Sequence, residues 1–206
     1  MSAGVEALLG WRVSPTSFSP KEAAEVTGAS QSNIRLWRSR GYLPENELGG
    51  WAKHDSHEVM SIYLLNAFSK LGVAPSEAGK RLQSLGRDLF FFAVTSGDGA
   101  CDFVGPLPDV EALRTSFDDS FTLPREVCKP VDERRFLLSE GGPDFRRQAD
   151  LQRAIEEEQL TYFYCIDLVA AGRTVAARAK KSLLTFIHEK AEARPQNIRL
   201  LSHGQK

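Results

Sequence analysis

Hydrophobic and polar positions alternate at helical spacing through the first third of the chain. Ala23, Ala24 and Val26 form one short apolar face, and Ile34 and Trp37 form a second. Ser19-Pro20-Lys21-Glu22 is a helix start: a hydroxyl cap, Pro at the first helical position, and a Glu placed to reach back to the cap amide. Phe18 precedes it as a hydrophobic staple. Thr27-Gly28 ends this helix, because glycine accepts the left-handed conformation of a helix C-terminus. Ser30 caps the next helix, Gln31 to Arg40, which stops at Gly41. Two short helices joined by a tight glycine turn predict a helix-turn-helix. Asp55-Ser56-His57-Glu58 opens a third helix that runs to about Leu71. Its apolar residues fall on two arcs, Val59, Ile62 and Tyr63 on one and Leu64, Phe68 and Leu71 on the other. Burial on both sides is expected. One side serves the helix-turn-helix core, and later residues of the same chain are expected to cover the other.

Beyond Leu85 the pattern changes. Leu89 to Thr95 reads as a buried strand, with a turn at Ser96-Gly97-Asp98-Gly99 and a hairpin partner over Ala100 to Val104. Asp109 is expected to cap a short helix carrying Val110, Leu113 and Phe117. Residues 118–134 read as irregular, Arg135 to Leu138 as a strand, and Phe145 to Glu158 as a helix whose solvated end is Glu156-Glu157-Glu158. Leu160 to Leu168 is the strongest strand pattern, and Cys165 within it reads as a small core residue. Asp167 caps a helix from Leu168 to Lys181, followed by a strand over Leu184 to Ile187, which together predict a β-α-β crossover. The alternative is a hairpin turning at Ala171-Gly172-Arg173. Ala193 to Lys206 is polar and basic and reads as frayed.

The second helix carries the candidate chemistry. At about 100° per residue, Ile34 and Trp37 share one side, while Gln31, Ser32, Arg35, Arg38 and Ser39 fall together on another. No acid occurs between Glu25 and Glu45. Arginine bonds guanine edges bidentately, glutamine pairs adenine, and hydroxyls suit phosphates, so this face is a candidate DNA reader. The competing reading is a solvated helix face that merely carries basic residues. His54 and His57 meet at the start of the third helix without a third ligand in view, which favours a cap or phosphate contact over a metal site.

The whole series resembles the MerR-type winged helix-turn-helix family. The resemblance rests on the two helices, Arg35 six residues before Gly41, Trp37 as the aromatic and Leu43-Pro44. It continues through a Gly49-Gly50-Trp51 wing, Asp55 as a cap, and Leu71-Gly72 at the end of the third helix. It covers about residues 18–85. It implies a domain that reads double-stranded DNA with its second helix and grips phosphates with its wing, with Lys53 and Arg40 as phosphate candidates. Several departures are visible. Arg38 and Ser39 stand where the family usually has an acid and then an Arg. Ala52 stands where the family's wing usually has Arg, and Leu85 is not followed by the long dimerising helix of typical members. Excisionases and small terminase subunits use a similar module.

Charge and composition sharpen the division. Residues 1–85 carry 9 basic and 8 acidic side chains, residues 86–169 carry 9 and 17, and residues 170–206 carry 8 and 2. An acidic middle between a near-neutral head and a basic tail predicts separate modules. The expected organisation is an α+β chain with a mixed α/β module behind the winged helix. Its divisions are a flexible arm at 1–17, the DNA-binding domain at 18–85, the module at 86–192 and a flexible tail at 193–206. Cys101, Cys128 and Cys165 are odd in number and widely spaced, which reads as ordinary thiols in a reducing compartment. No apolar run approaches the ~20 residues of a membrane span, and the N-terminus has no signal-peptide pattern. The expectation is a cytoplasmic, nucleoid-associated transcription regulator of bacterial or phage type, with no metal or other cofactor and no catalytic constellation. The rival readings are a recombination or packaging factor, or an enzyme targeted by the winged helix. Docking of RNA polymerase or another protein on residues 86–192 and the oligomeric state stay open.

Overall fold

The computed structural model describes residues 8–43, 53–119, 121–140, 144–190 and 198–201, with the backbone alone at residues 80 and 198–201. The chain is α+β. Strands β1 (Trp11–Pro15) and β2 (Ser17–Phe18) lead into helices α1 (Pro20–Thr27) and α2 (Gln31–Ser39). Strand β3 (His54–Asp55) pairs antiparallel with β2 and delivers the chain to α3 (Ser56–Lys70). Short α4 (Pro75–Ala78) and one 3-10 turn (Gly79–Arg81) precede α5 (Leu82–Ser96).

Helix α5 corrects the strand expected over Leu89 to Thr95. Every residue from Asp88 to Val94 is buried. A continuous apolar run fits a core strand or a helix buried all round, and periodicity alone does not separate them. Leu82 and Leu85 extend the apolar run upstream at helical spacing. Neighbours on opposite sides complete the burial: α5 packs against α3 and against a later helix, α9 (Leu168–Ala179). The module boundary expected at residue 86 therefore falls inside a helix. The second apolar side of α3 is covered as expected by the same chain, with Leu64 and Phe68 fully buried.

After α5 come β4 (Cys101–Gly105), α6 (Leu107–Asp119) and α7 (Thr122–Cys128). Val110, Leu113 and Phe117 of α6 are buried, as their spacing requires. Helix α7 replaces the irregular stretch expected there. A three-stranded antiparallel sheet follows, ordered β6 (Arg146–Gln148), β5 (Phe136–Ser139), β7 (Tyr164–Asp167). Between β6 and β7 runs α8 (Leu151–Glu158), so the helix expected from Phe145 begins six residues later. Cys165 is exposed rather than in the core: β7 is an edge strand of this sheet.

The larger sheet has the order β1-β8-β4-β9, with β8 at Leu184–His188 and β9 at Ile198–Leu201. Strands β4 and β8 are parallel, with Phe103 opposite Phe186 and their rings stacked at 5.0 Å. Asp167 caps α9 through the backbone amides of Val169 and Ala170, as expected. The expected crossover is corrected: β7 and β8 belong to different sheets, and the parallel partner of β8 is β4. Neither the arm at 1–17 nor the tail at 193–206 is free throughout. β1 and β9 form the two edges of the larger sheet, because exposed edge groups of β8 and β4 are satisfied by whichever extended segment returns to them.

Helices α5 and α9 pack at backbone contact. A methyl group at Gly172 would lie 2.6 Å from the backbone nitrogen of Ala93 and 2.9 Å from its Cα. Gly172→Ala gains about 1 kcal/mol of helix propensity but drives a carbon into backbone, and overpacking of this kind costs about 1–3 kcal/mol. A net loss of stability is expected in chemical denaturation. A fragment ending at residue 85 cuts α5 after its first turn and exposes Leu64 and Phe68; it is expected to lack cooperative unfolding.

Candidate nucleic-acid interface

Three elements fix the first helix. Its capping box is complete: the Ser19 amide donates to Glu22 Oε2 at 2.7 Å, and the Glu22 amide donates to Ser19 Oγ at 3.3 Å. Gly28 ends it at φ 70°, in the left-handed region. The last carbonyls are then taken by other parts of the chain. Asn66 Nδ2 of α3 donates to the Thr27 carbonyl at 3.0 Å, and Arg178 of α9 reaches the Val26 carbonyl at 3.5 Å. At the other end Lys181 Nζ donates to Glu22 Oε1 at 2.7 Å and to the Ser17 carbonyl at 2.9 Å, and lies 4.3 Å above the Phe18 ring. The Lys181 ammonium, with the Ser19 amide and hydroxyl, lowers the Glu22 carboxyl to about 2. Two cations of the basic C-terminal stretch are thus spent on α1.

Helix α2 presents one face outward from this frame. Ile34 and Trp37 are buried, while Gln31, Ser32, Arg35, Ser39 and Arg40 are exposed, as the helical projection required. Ser32 Oγ lies 3.0 Å from the capping Ser30 Oγ, and Ser39 Oγ donates to the Leu36 carbonyl at 3.0 Å. Both hydroxyls keep acceptor capacity toward solvent. Leu36, 43% exposed, shares this face and was missed because a lone apolar residue there carries no charge or hydrogen-bonding signal. Its angle gives it away: it lies within about 50° of the centre of the outward arc.

Arg38 corrects the projection. Its side chain is only 14% exposed and donates to Glu58 of α3 and, at 2.9 Å, to His54 Nδ1 of β3. The position sits about 70° from the centre of the buried face, where a long side chain either leaves or turns inward. Two acceptors buried beneath it decide the matter. With Nδ1 accepting from Arg38, it has no hydrogen for Glu58 Oε2 at 3.2 Å, so the neutral ring carries its proton on Nε2. Burial, aided by the Arg38 charge, lowers His54 to about 4. Asp55 caps α3 by accepting from the Glu58 amide at 2.7 Å, and burial raises its carboxyl. The His57 ring lies tilted at 43° against Phe90, with ring centroids 4.2 Å apart.

Lys53 is exposed beside this cluster, just before β3. The wing expected at Gly49-Gly50-Trp51, with Ala52 and Pro44, lies outside the described residues. Along α2 a cavity of about 570 Å³ is bounded by Pro20, Gln31, Arg35, Arg38 and His54. The arrangement is a short helix locked by its inner face, with a polar and basic outer face of major-groove dimensions.

The helix pair, β2–β3 and α3 together span the segment that matches the family described as MerR HTH family regulatory protein, residues 18–85. Residues 18–85 form a MerR-type helix-turn-helix. The match covers about a third of the chain and points to a DNA-binding transcription regulator. A comparison with curated proteins finds no match. The MerR-type segment ends four residues into α5, so its last helix continues into a part of the chain to which the match does not extend. Among the described residues no helix is long and apolar enough to cross a membrane.

The Arg38 cluster sets a pH dependence with a definite sign. His54 is lowered from 6.5 to about 4 in the folded protein, so the unfolded chain binds more protons between those values. Its contribution is complete above pH 6.5 and is lost as pH falls toward 4, by up to about 3 kcal/mol. Denaturation curves across that range are expected to show the loss, and His54→Gln to flatten it.

Proposed function

We propose that the protein regulates transcription by reading double-stranded DNA with α2 in the major groove. Gln31, Ser32, Arg35 and Ser39 face base edges and adjacent phosphates, and Leu36 offers a methyl-sized contact suited to thymine. Arg40 and Lys53 hold phosphates on either side. Arg38 acts as a positioning residue, pinning α2 to β3 and α3 so that Arg35 is presented at a fixed angle. The observation that carries this reading is the outward face of α2 itself: a basic, hydroxyl-rich surface without a carboxylate, on a helix whose other face is locked into the core of a MerR-type segment. Acting on DNA implies a cytoplasmic, nucleoid-associated place of action.

Stability and binding separate the roles of the two arginines. Arg35→Ala is expected to leave stability within about 0.5 kcal/mol and to cost about 1–3 kcal/mol on the selected DNA site, relaxing one base position. Arg38→Ala strands Glu58, whose side chain is 4% exposed, and is expected to cost about 3–5 kcal/mol of stability. Lys53→Ala is expected to weaken binding to all sequences and lower the salt slope by about one unit. Site selection from a random duplex pool, then mobility shifts with each variant at several salt concentrations, gives these values. Unchanged affinity of Arg35→Ala for its selected site overturns the reading.

A further inference from the structure

A second cavity, about 480 Å³, lies where the start of α5 meets β6. Arg81, Ser84 and Leu85 line it from the α5 side; Arg134, Phe145, Arg146 and Arg147 line it from the loop before β5 and from β6. Four guanidiniums on one cavity of ligand size, with no carboxylate among its described lining residues, is an unusual composition for a chain segment rich in acids.

The four are not equivalent. Arg147 is committed: it donates to Asp88 Oδ2 at 2.5 Å, and Asp88, fully buried on α5, also accepts from the amides of Val131 and Asp132. This bond fixes β6 against α5 and builds the cavity wall. The Nε of Arg147 remains buried without an acceptor. Arg81, Arg134 and Arg146 are about half exposed; Arg81 pairs with the exposed Asp144 and Arg134 with the largely buried Asp132, while Arg146 pairs with both Glu140 at 2.5 Å and Glu158 at 2.6 Å. Exposed pairs such as Arg81 with Asp144 are worth about 0–1 kcal/mol and yield to a competing anion. Guanidiniums match carboxylate and phosphate oxygens bidentately. Beside them Phe145 is half-buried with its ring stacked on Phe68 of α3 at 4.3 Å, and with Leu85 it supplies an apolar wall.

We propose that this cavity binds a small organic anion with a flat apolar body, its phosphate or carboxylate groups held by Arg81, Arg134 and Arg146 and its body against Phe145 and Leu85. Nothing in this assignment depends on the DNA-reading face.

Calorimetric titration of the full chain with phenyl phosphate and with phthalate, at constant ionic strength and with chloride as reference, tests it. Saturable binding of at least one probe is expected, and whichever binds identifies phosphate or carboxylate as the preferred group. Arg81→Gln and Arg134→Gln, both at half-exposed positions that leave the fold intact by circular dichroism, are each expected to weaken that binding at least tenfold. Arg153→Gln, on α8 and paired with Glu157 outside the cavity, is expected to bind as the parent does. Absence of saturable binding by either probe up to about 10 mM, or binding unchanged in both cavity variants, overturns the proposal.

Discussion

From Asp88 to Val94 helix α5 is enclosed on every side, and the remaining architecture follows from that enclosure. A helix with Leu, Phe and Val around its whole circumference has no side to give to water. It therefore needs α3 on one flank and α9 on another, and α9 comes as near as backbone contact at Gly172. Because α3 belongs to the MerR-type segment and α9 does not, satisfying α5 joins the two parts into one core. The buried residues reflect this: one large cluster runs from Phe18 to Phe186, beside a small one of Leu138, Ala154 and Leu160.

The same joint reaches the helix-turn-helix frame through polar contacts. Ser56, the first residue of α3, donates to the Leu183 carbonyl, and the Thr16 amide donates to that same carbonyl at 3.0 Å. Arg178 and Lys181 hold the two ends of α1. The MerR-type segment is braced at its first helix, its third helix and its entry strand by residues more than a hundred positions away. Beneath α2, Arg38, Glu58 and His54 add a buried ionic contact whose worth lies in geometry more than in net stability, since desolvation offsets much of its attraction.

Charge along the sequence acquires a different meaning in three dimensions. The acidic middle is not an exposed block: Asp88 binds Arg147, Asp132 binds Arg134, Asp167 binds Arg135, and Glu133 binds Arg125. The basic tail likewise spends Arg178 and Lys181 on α1 rather than presenting them as a free cationic patch. The acidic middle thus pairs largely within itself, while Lys181 of the basic stretch pairs with Glu22 of α1.

Local chemistry by itself determined the helix-turn-helix end of the molecule. Caps at Ser19, Ser30 and Asp55, the glycine at 28 and the spacing of Ile34 and Trp37 act within a few residues, so their consequences were visible without the fold. Asp167 as the α9 cap belongs to the same class. What only the tertiary structure decided is every choice in which two local outcomes were close in energy. The run Leu89 to Val94 satisfies a core strand or a core helix equally, and burial between α3 and α9 selected the helix. Arg38, at the margin between two faces, was drawn inward by Glu58 and His54, acceptors 16 and 20 residues away. The edge strands at Trp11–Pro15 and Ile198–Leu201 had no strong pattern of their own, because an edge strand is specified by the unpaired backbone groups of the strand it joins. Those groups exist only once the sheet has formed.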